Sequence, residues 1–192
     1  MQTLSQLQND GMNAPKQAEQ PAFILWFVGR PASGKSTLAR AVQARLRARA
    51  IPVCLLDSDE VRAILTPTPT YSPAERDWFY QALAGLALLL ARSGVNVAIA
   101  ATAPLRAYRT AVRSQWGHFV EVYVECALAT CQARDPKGIY ALAQAGLADN
   151  VPGVGALFEA PLTPEITVNA ELQSPTEAAN VVLGDLNKLY GV

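Results

Sequence analysis

Histidine, cysteine and lysine are all scarce in this 192-residue chain, and it carries no net charge. Each shortage excludes a class of function. His118 is the only histidine, so a multi-histidine metal centre cannot be built. Standing just before an apolar run, it reads as a structural residue. Cys54, Cys126 and Cys131 are odd in number and form no C-x-x-C pair, which argues against a disulfide scaffold and against a tetrahedral zinc site. They read as reduced, mostly buried thiols of a cytoplasmic protein. With 16 basic and 16 acidic side chains, the chain has no overall field to hold nucleic acid or an anionic membrane.

Long apolar runs are missing too. The most apolar helical stretch, Ala82 to Ala91, is about half of what a bilayer requires. The first residues, MQTLSQLQNDGMNAPKQAEQP, contain no cationic region followed by an apolar one and do not read as a secretory signal. Residues 1–20 are polar and glutamine-rich and are expected to form a flexible arm. The remainder, 21–192, reads as one domain. At 51% hydrophobic and 17% charged residues it has the composition of a packed globule.

What is present is an alternation of short apolar runs and amphipathic stretches. Ala22 to Val28 is continuously apolar, as expected of a strand buried on both faces. From Ser36 to about Ala50, Leu38, Val42 and Leu46 recur every four positions, a helical spacing. Further strands are predicted over Val53–Leu56, Val95–Ala101, Phe119–Glu125 and Ile166–Val168. Helices are predicted from about Glu60, over Pro73–Ser93, Leu105–Trp116 and Ala127–Arg134, and from Ser174 to Tyr190. Ser174 or Thr176 would cap the last. Pro73 suits a first helical turn and Gly94 a helix stop. TPTPTYSP must be a loop, and the stretch between Arg134 and about Pro164 is polar and glycine-containing. Such alternation implies a parallel, doubly wound sheet, whose ligands bind beyond the carboxyl ends of the strands.

The first such end carries the clearest motif. Gly29-Arg30-Pro31-Ala32-Ser33-Gly34-Lys35-Ser36 fits G-x-x-x-x-G-K-[ST] and lies between an apolar strand and an amphipathic helix. Its glycines let the backbone curl so that successive N–H groups face phosphate oxygens, and the helix start adds partial positive charge. Lys35 can reach the β- and γ-phosphates, and Ser36 can ligate Mg²⁺. Together with Thr37 these are the candidate ATP-binding residues. The second strand ends in Asp57-Ser58-Asp59. One carboxylate there can organise the metal's water shell, and the other can accept a proton from an acceptor hydroxyl. Asp57 also stands where a side chain would cap the next helix. Arg62 and Arg76 offer planar forks that suit phosphate or sulfate, or else ordinary surface ion pairs. Arg106, Arg109 and Arg113 recur at helical spacing and read equally as a solvated face. Trp78 and Trp116 read as packing residues.

From this point the chain resembles the adenylylsulfate (APS) kinases. LDSDEVR at 56–62 is similar to the family's L-D-G-D-N-V-R, and YSPAER at 71–76 to F-S-x-x-D-R. APLRAYR at 103–109 is similar to S-P-[YF]-R-x-[DE]-R, and RDPKGIY at 134–140 to R-D-P-K-G-L-Y. FEAP at 158–161 and PEI at 164–166 resemble Y-E-A-P and P-E-I. The resemblance runs from about Phe23 to the C-terminus. It implies a P-loop fold of the nucleoside-monophosphate-kinase type, with a five-stranded parallel sheet flanked by helices and a lid over about 135–160. It also implies Mg²⁺-dependent transfer of the ATP γ-phosphoryl to the 3′-hydroxyl of APS, in sulfate activation, by a cytoplasmic enzyme that is commonly a homodimer. By resemblance, Lys35 and Asp59 are catalytic, with Asp59 the base, and Ser36 and Asp57 serve the metal. Arg134 and Lys137 lie in the lid; Arg134 faces ATP. Asp59, Arg62, Tyr71, Arg76, Phe79, Thr102, Ala103, Lys137 and Val151 fall at acceptor-side positions.

The departures from the family pattern lie on that acceptor side. The family's asparagine is Phe79 here. The serine of its I-S-P is Ala103, which has no hydroxyl to carry a phosphoryl group. Its F-T-G-I-D segment reads Val151-Pro152-Gly153-Val154-Gly155, without the aromatic or the carboxylate. The lid helix reads Ala141-Leu142-Ala143-Gln144, without the usual basic pair. These changes leave open a relative that phosphorylates a hydroxyl of another small molecule, such as a metabolite, an antibiotic or a nucleotide. A nucleotide-binding regulator without catalysis is the third reading. The retained Lys35, Asp57 and Asp59 argue against that one. Of the 16 basic residues 12 are arginine and four lysine, and several arginines fall just after strands. The zero charge is therefore a global balance that leaves room for a local anion site.

Overall fold

The computed structural model describes residues 21–192, and the arm expected over residues 1–20 lies outside the described residues. Five parallel strands form one sheet: β1 Ile24–Val28, β2 Val53–Asp57, β3 Asn96–Ala100, β4 Phe119–Glu125 and β5 Ile166–Asn169. Their spatial order is β2-β3-β1-β4-β5. The central strand β1 pairs Ile24 with Val97 on one side and with Phe119 on the other.

The unbroken apolar run of β1 follows from this position. Leu25 and Phe27 point to one face of the sheet, where they meet Leu38, Val42 and Leu46 of α1 (Lys35–Ala48). The same core takes Val182, Leu183 and Leu186 of the last helix, α7 (Pro175–Tyr190). Ile24, Trp26 and Val28 point to the other face and pack against α3 (Pro73–Arg92) through Phe79, Leu83 and Ala87. Successive strand residues alternate between faces, so a central strand covered on both sides must be apolar at every position. Each large side chain buried here stabilises the fold by about 1.5–3 kcal/mol.

Helix ends agree with local chemistry. Of the two caps the sequence offers for α7, Ser174 is the one used, in a reciprocal box with Glu177. Ser72 caps α3, whose first residue is Pro73, and Gly94 adopts φ +81° just beyond its end. Asp57 caps α2 (Ser58–Leu65) by accepting from the Asp59 amide at 3.2 Å. Ordinary fraying and capping shift most predicted bounds by one or two residues.

Three expectations are corrected. The predicted helix Leu105–Trp116 is shorter, as α4 (Arg106–Arg113), and its arginines do not form a solvated face. Arg109 is buried: its Nε donates to Glu121, while its terminal nitrogens donate to the Ala103 carbonyl and, at 2.9 Å, to the Glu159 carbonyl. Arg113 is paired with Glu165 and Glu121. Burial of so strong a cation requires such partners, and they come from β4 and the 159–165 segment, which helical spacing cannot reveal. Trp78 is only half packed, at 49% exposed on α3, whereas Trp116 donates to the Ala22 carbonyl at 2.7 Å.

The polar stretch after α5 (Leu128–Arg134) also holds a short helix, α6 (Ile139–Gln144). Tyr140 and Val151 of this stretch pack on Cys126 and Cys131. One apolar turn is too little to register as a period in sequence. Cys126 and Cys131 are buried, Cys54 is partly so, and all three are free. His118 stacks on Tyr190 at 4.7 Å, the structural role its context suggests.

Candidate active site

All five strands point their carboxyl ends to one edge, and a cleft of about 820 Å³ opens there. Its floor is the loop between β1 and α1. Gly29 begins the loop because nothing larger fits: a Cβ there would come within 2.6 Å of the Val124 carbonyl oxygen. Gly34 ends it in the left-handed region, φ +100°, and leads into the first turn of α1. The loop is braced from outside the cleft. Tyr140 donates to the Pro31 carbonyl at 3.1 Å, and Arg30 donates to the Cys126 carbonyl at 3.2 Å while stacking over Phe158.

Lys35 lies at the base of the cleft and donates to the Arg30 carbonyl at 2.7 Å. Burial pushes its ammonium down from 10.5 to about 8, against the opposing pull of neighbouring groups that include Asp59 and Asp57. Proton loss from the free loop is therefore close to neutral pH. An arriving polyphosphate would reverse that by supplying negative charge.

The carboxylates after β2 occupy different settings. Asp57 is buried, with one oxygen capping α2 and the other accepting from Arg40 at 3.1 Å. Asp59 is largely exposed at the cleft rim, and its one charged partner among the described residues is Lys137, from the turn before α6. Ser36 and Asp57 both line the cleft. Hydroxyl and carboxylate oxygens are the hard donors that Mg²⁺ prefers, so this pair fits that ion. Among the described residues there is no group of three or more His, Cys, Asp or Glu side chains that could hold a metal alone. An ion here would therefore draw its other ligands from phosphate and water.

Arg62, Tyr71 and Arg76 line the same cleft. Arg62 is nearly buried and donates to Glu75 at 2.8 Å. Glu75 also accepts from the amide and hydroxyl of Thr70 and from the Tyr71 amide, which pull its carboxyl below the usual range, the Thr70 hydroxyl most strongly. Arg76 donates to the Asn150 carbonyl, and Asn150 donates to the Tyr71 carbonyl at 3.2 Å. The arginine pair, the 66–72 loop and the 148–152 segment thus form one connected wall.

Of the candidate site residues, Pro31, Ala32, Ser33, Gly34, Lys35, Ser36, Thr37, Asp57, Asp59, Arg62, Tyr71, Arg76, Thr102, Arg134, Lys137 and Val151 line this cleft. Four do not. Gly29 and Arg30 belong to the loop but do not line the cleft. Ala103 is fully buried at φ +38°, its amide donating to the Tyr80 hydroxyl at 3.0 Å. Phe79 is also fully buried, behind Arg62. Sequence reading missed Arg40, which bridges Asp57 and Glu60. Its position four residues after Ser36, on the same helical face, is the signal that could have found it. Tyr80 and Asn150 were missed as well, and no local pattern distinguishes them.

Phosphate loop, strand-end carboxylates and an arginine wall on a parallel sheet define a P-loop phosphotransferase. The particular family is shown by comparison: a family model described as adenylylsulphate kinase matches residues 21–169, and the chain belongs to that family. An adenylyl-sulfate kinase of Gloeothece citriformis is 36% identical over 171 residues, covering 89% of this chain and 97% of that one. A probable bifunctional SAT/APS kinase of Sorangium cellulosum is 39% identical over 87% of this chain, which spans only 29% of that longer protein. The solved structure of the Mycobacterium tuberculosis APS kinase with AMPPNP and APS superposes with a TM-score of 0.81 at 32% identity, covering 88% of this chain and 99% of that one.

Proposed function

We propose that this chain transfers the γ-phosphoryl group of ATP to the 3′-hydroxyl of adenylyl sulfate, giving ADP and 3′-phosphoadenylyl sulfate, a step of sulfate activation. One observation carries the reading: one cleft is lined by the phosphate loop and Lys35, by Arg62 and Arg76, and by Asp59. The new bond joins the 3′-oxygen to the γ-phosphorus, and the bond to the β–γ bridging oxygen breaks. Such transfer needs alignment and charge neutralisation more than covalent help.

The loop amides and Lys35 hold the β- and γ-phosphates, and Arg134 flanks the nucleotide side. Ser36 and Asp57 are the oxygen donors that would hold a magnesium ion arriving with ATP, where it neutralises phosphate charge. Arg40 holds the Asp57 carboxylate in place. Asp59 takes the proton of the 3′-hydroxyl. Arg62 and Arg76 meet the acceptor's anionic groups, with Tyr71 as the exposed aromatic beside them. Lys137 moves from Asp59 to the same anionic groups when the 135–160 segment closes. Residues 21–192 act as one catalytic domain.

We further read the chain as a cytoplasmic homodimer. Its three cysteines carry no disulfide, and no helix among the described residues is long and apolar enough to cross a membrane. Trp78, Leu86 and Leu89 form an exposed apolar stripe along α3, which a second copy would cover. Light scattering of the purified protein tests the assembly; a monomer at all concentrations rejects it.

The activity is tested by coupled ADP release with APS beside a panel of other hydroxyl compounds. APS at micromolar concentration should accelerate ADP release, and stimulation by another alcohol without any by APS would overturn the assignment.

A further inference from the structure

Arg62 is held in a way that ion pairing alone does not explain. Its guanidinium carbon lies 3.7 Å from the centroid of the Phe79 ring and 5.0 Å from that of Tyr71. Phe79 is fully buried and cannot touch a ligand itself. Its ring is fixed in turn: Tyr80 meets it edge-on at 5.4 Å, and Tyr80 stacks on Tyr108 at 4.5 Å. Tyr80 also accepts from the Ala103 amide, so this aromatic series is anchored to the loop after β3.

We propose that Phe79 is a positioning residue for the acceptor: its ring face seats the Arg62 guanidinium and fixes how the remaining N–H groups face the cleft. A planar guanidinium laid on a ring is confined to one plane, and the ring's negative face favours the cation. Glu75 occupies one terminal nitrogen, Nη1. Arg62 lines the cleft, and its Nε and Nη2 groups make no hydrogen bond among the described residues, so they are the ones left for a ligand. Rotamer freedom that a free arginine would lose on binding is already lost before the ligand arrives. The ligand class is an anion that accepts in the guanidinium plane, a phosphate or sulfate ester. This inference rests on the acceptor assignment above and adds the means by which the site recognises its anion.

A merely structural Phe79 would affect stability and every kinetic constant together. A seat for Arg62 should affect the acceptor alone. Site-specific replacement of Phe79 by 3,5-difluorophenylalanine keeps the shape of the ring and weakens its negative face. We expect the KM for APS to rise several-fold, and about tenfold for Phe79→Leu, while the KM for ATP moves less than about twofold. In an Arg62→Lys background, which cannot lie flat on the ring, fluorination should have no further effect on the KM for APS. An unchanged KM for APS in the difluoro protein overturns the proposal, as does the same rise in the Arg62→Lys background. If Phe79→Leu fails to fold, the near-isosteric difluoro protein still decides. If the unsubstituted protein shows no APS-dependent turnover, the acceptor reading and this one fall together. Turnover with an unmoved KM removes only this one.

Discussion

Lys137 is ion-paired with Asp59, though 78 residues separate them in sequence. The lysine stands in the segment after α5 and the carboxylate in the first turn of α2, so the contact ties that segment to the proposed base. Both side chains are more than half exposed, so the pair contributes little to folding. Its interest lies in the proposed function, in which an anionic acceptor would compete with Asp59 for the lysine.

Two substitutions separate the partners. Asp59→Asn should lower kcat by about a hundredfold or more while the KM for ATP changes only a few-fold. A KM effect alone would reject Asp59 as the base. Lys137→Met should raise the KM for APS and leave the Tm within about 2 °C of the parent. Steady-state kinetics and a melting curve check both.

Lys35 yields a prediction of unusual sign. Its folded pKa is depressed to about 8 from 10.5, so the folded state holds this proton less tightly than the unfolded state does. The cost of burying the charge is fully present below pH 8 and is relieved as pH rises from 8 to 10.5. Lys35→Met should therefore leave the ligand-free protein as stable at pH 7 as the parent, or more stable by about 1–3 kcal/mol, while abolishing turnover. For the unsubstituted protein, kcat/KM for ATP should fall as pH rises through about 8, as the free loop loses its cation. A flat profile from pH 7 to 9.5 would contradict this.

Arg109 should matter to folding before it matters to catalysis. It joins α4 to Glu121 on β4 and to the carbonyls of Ala103 and Glu159. Removing it leaves the buried Glu121 carboxylate with its longer Arg113 pair, and the carbonyls of Ala103 and Glu159 without the arginine's N–H groups. Arg109→Ala should cost about 3–5 kcal/mol, lowering Tm by on the order of 10 °C. Arg109→Lys should rescue little, because one ammonium cannot reach three acceptors from a planar fork. Chemical denaturation provides the measure.

Gly29→Ala is the smallest change expected to disable the site. The added methyl would meet the Val124 carbonyl at 2.6 Å and the Ser33 hydroxyl at 2.7 Å. The serine can rotate, but a carbonyl inside β4 cannot. The loop must shift, its amides lose their aim, and ATP binding should weaken at least tenfold, as calorimetry with a non-hydrolysable ATP analogue would show.

The sequence by itself determined the sheet, the phosphate loop and the strand-end carboxylates. Each is written in neighbouring residues: the all-apolar run of β1, the spacing from Gly29 to Ser36, and Asp57 and Asp59 directly after β2. Periods and turns are local, so a linear reading recovers them. Tertiary structure alone decided what the arginines do. Arg62 lies on Phe79, Arg109 is buried against Glu121, and Arg40 holds Asp57, although the three look alike in sequence. A guanidinium takes its role from the acceptors and rings that the fold brings around it. The partners of Arg62 and Arg109 follow from how α3 and α4 pack on the sheet, and that of Arg40 from the placement of β2 beside α1.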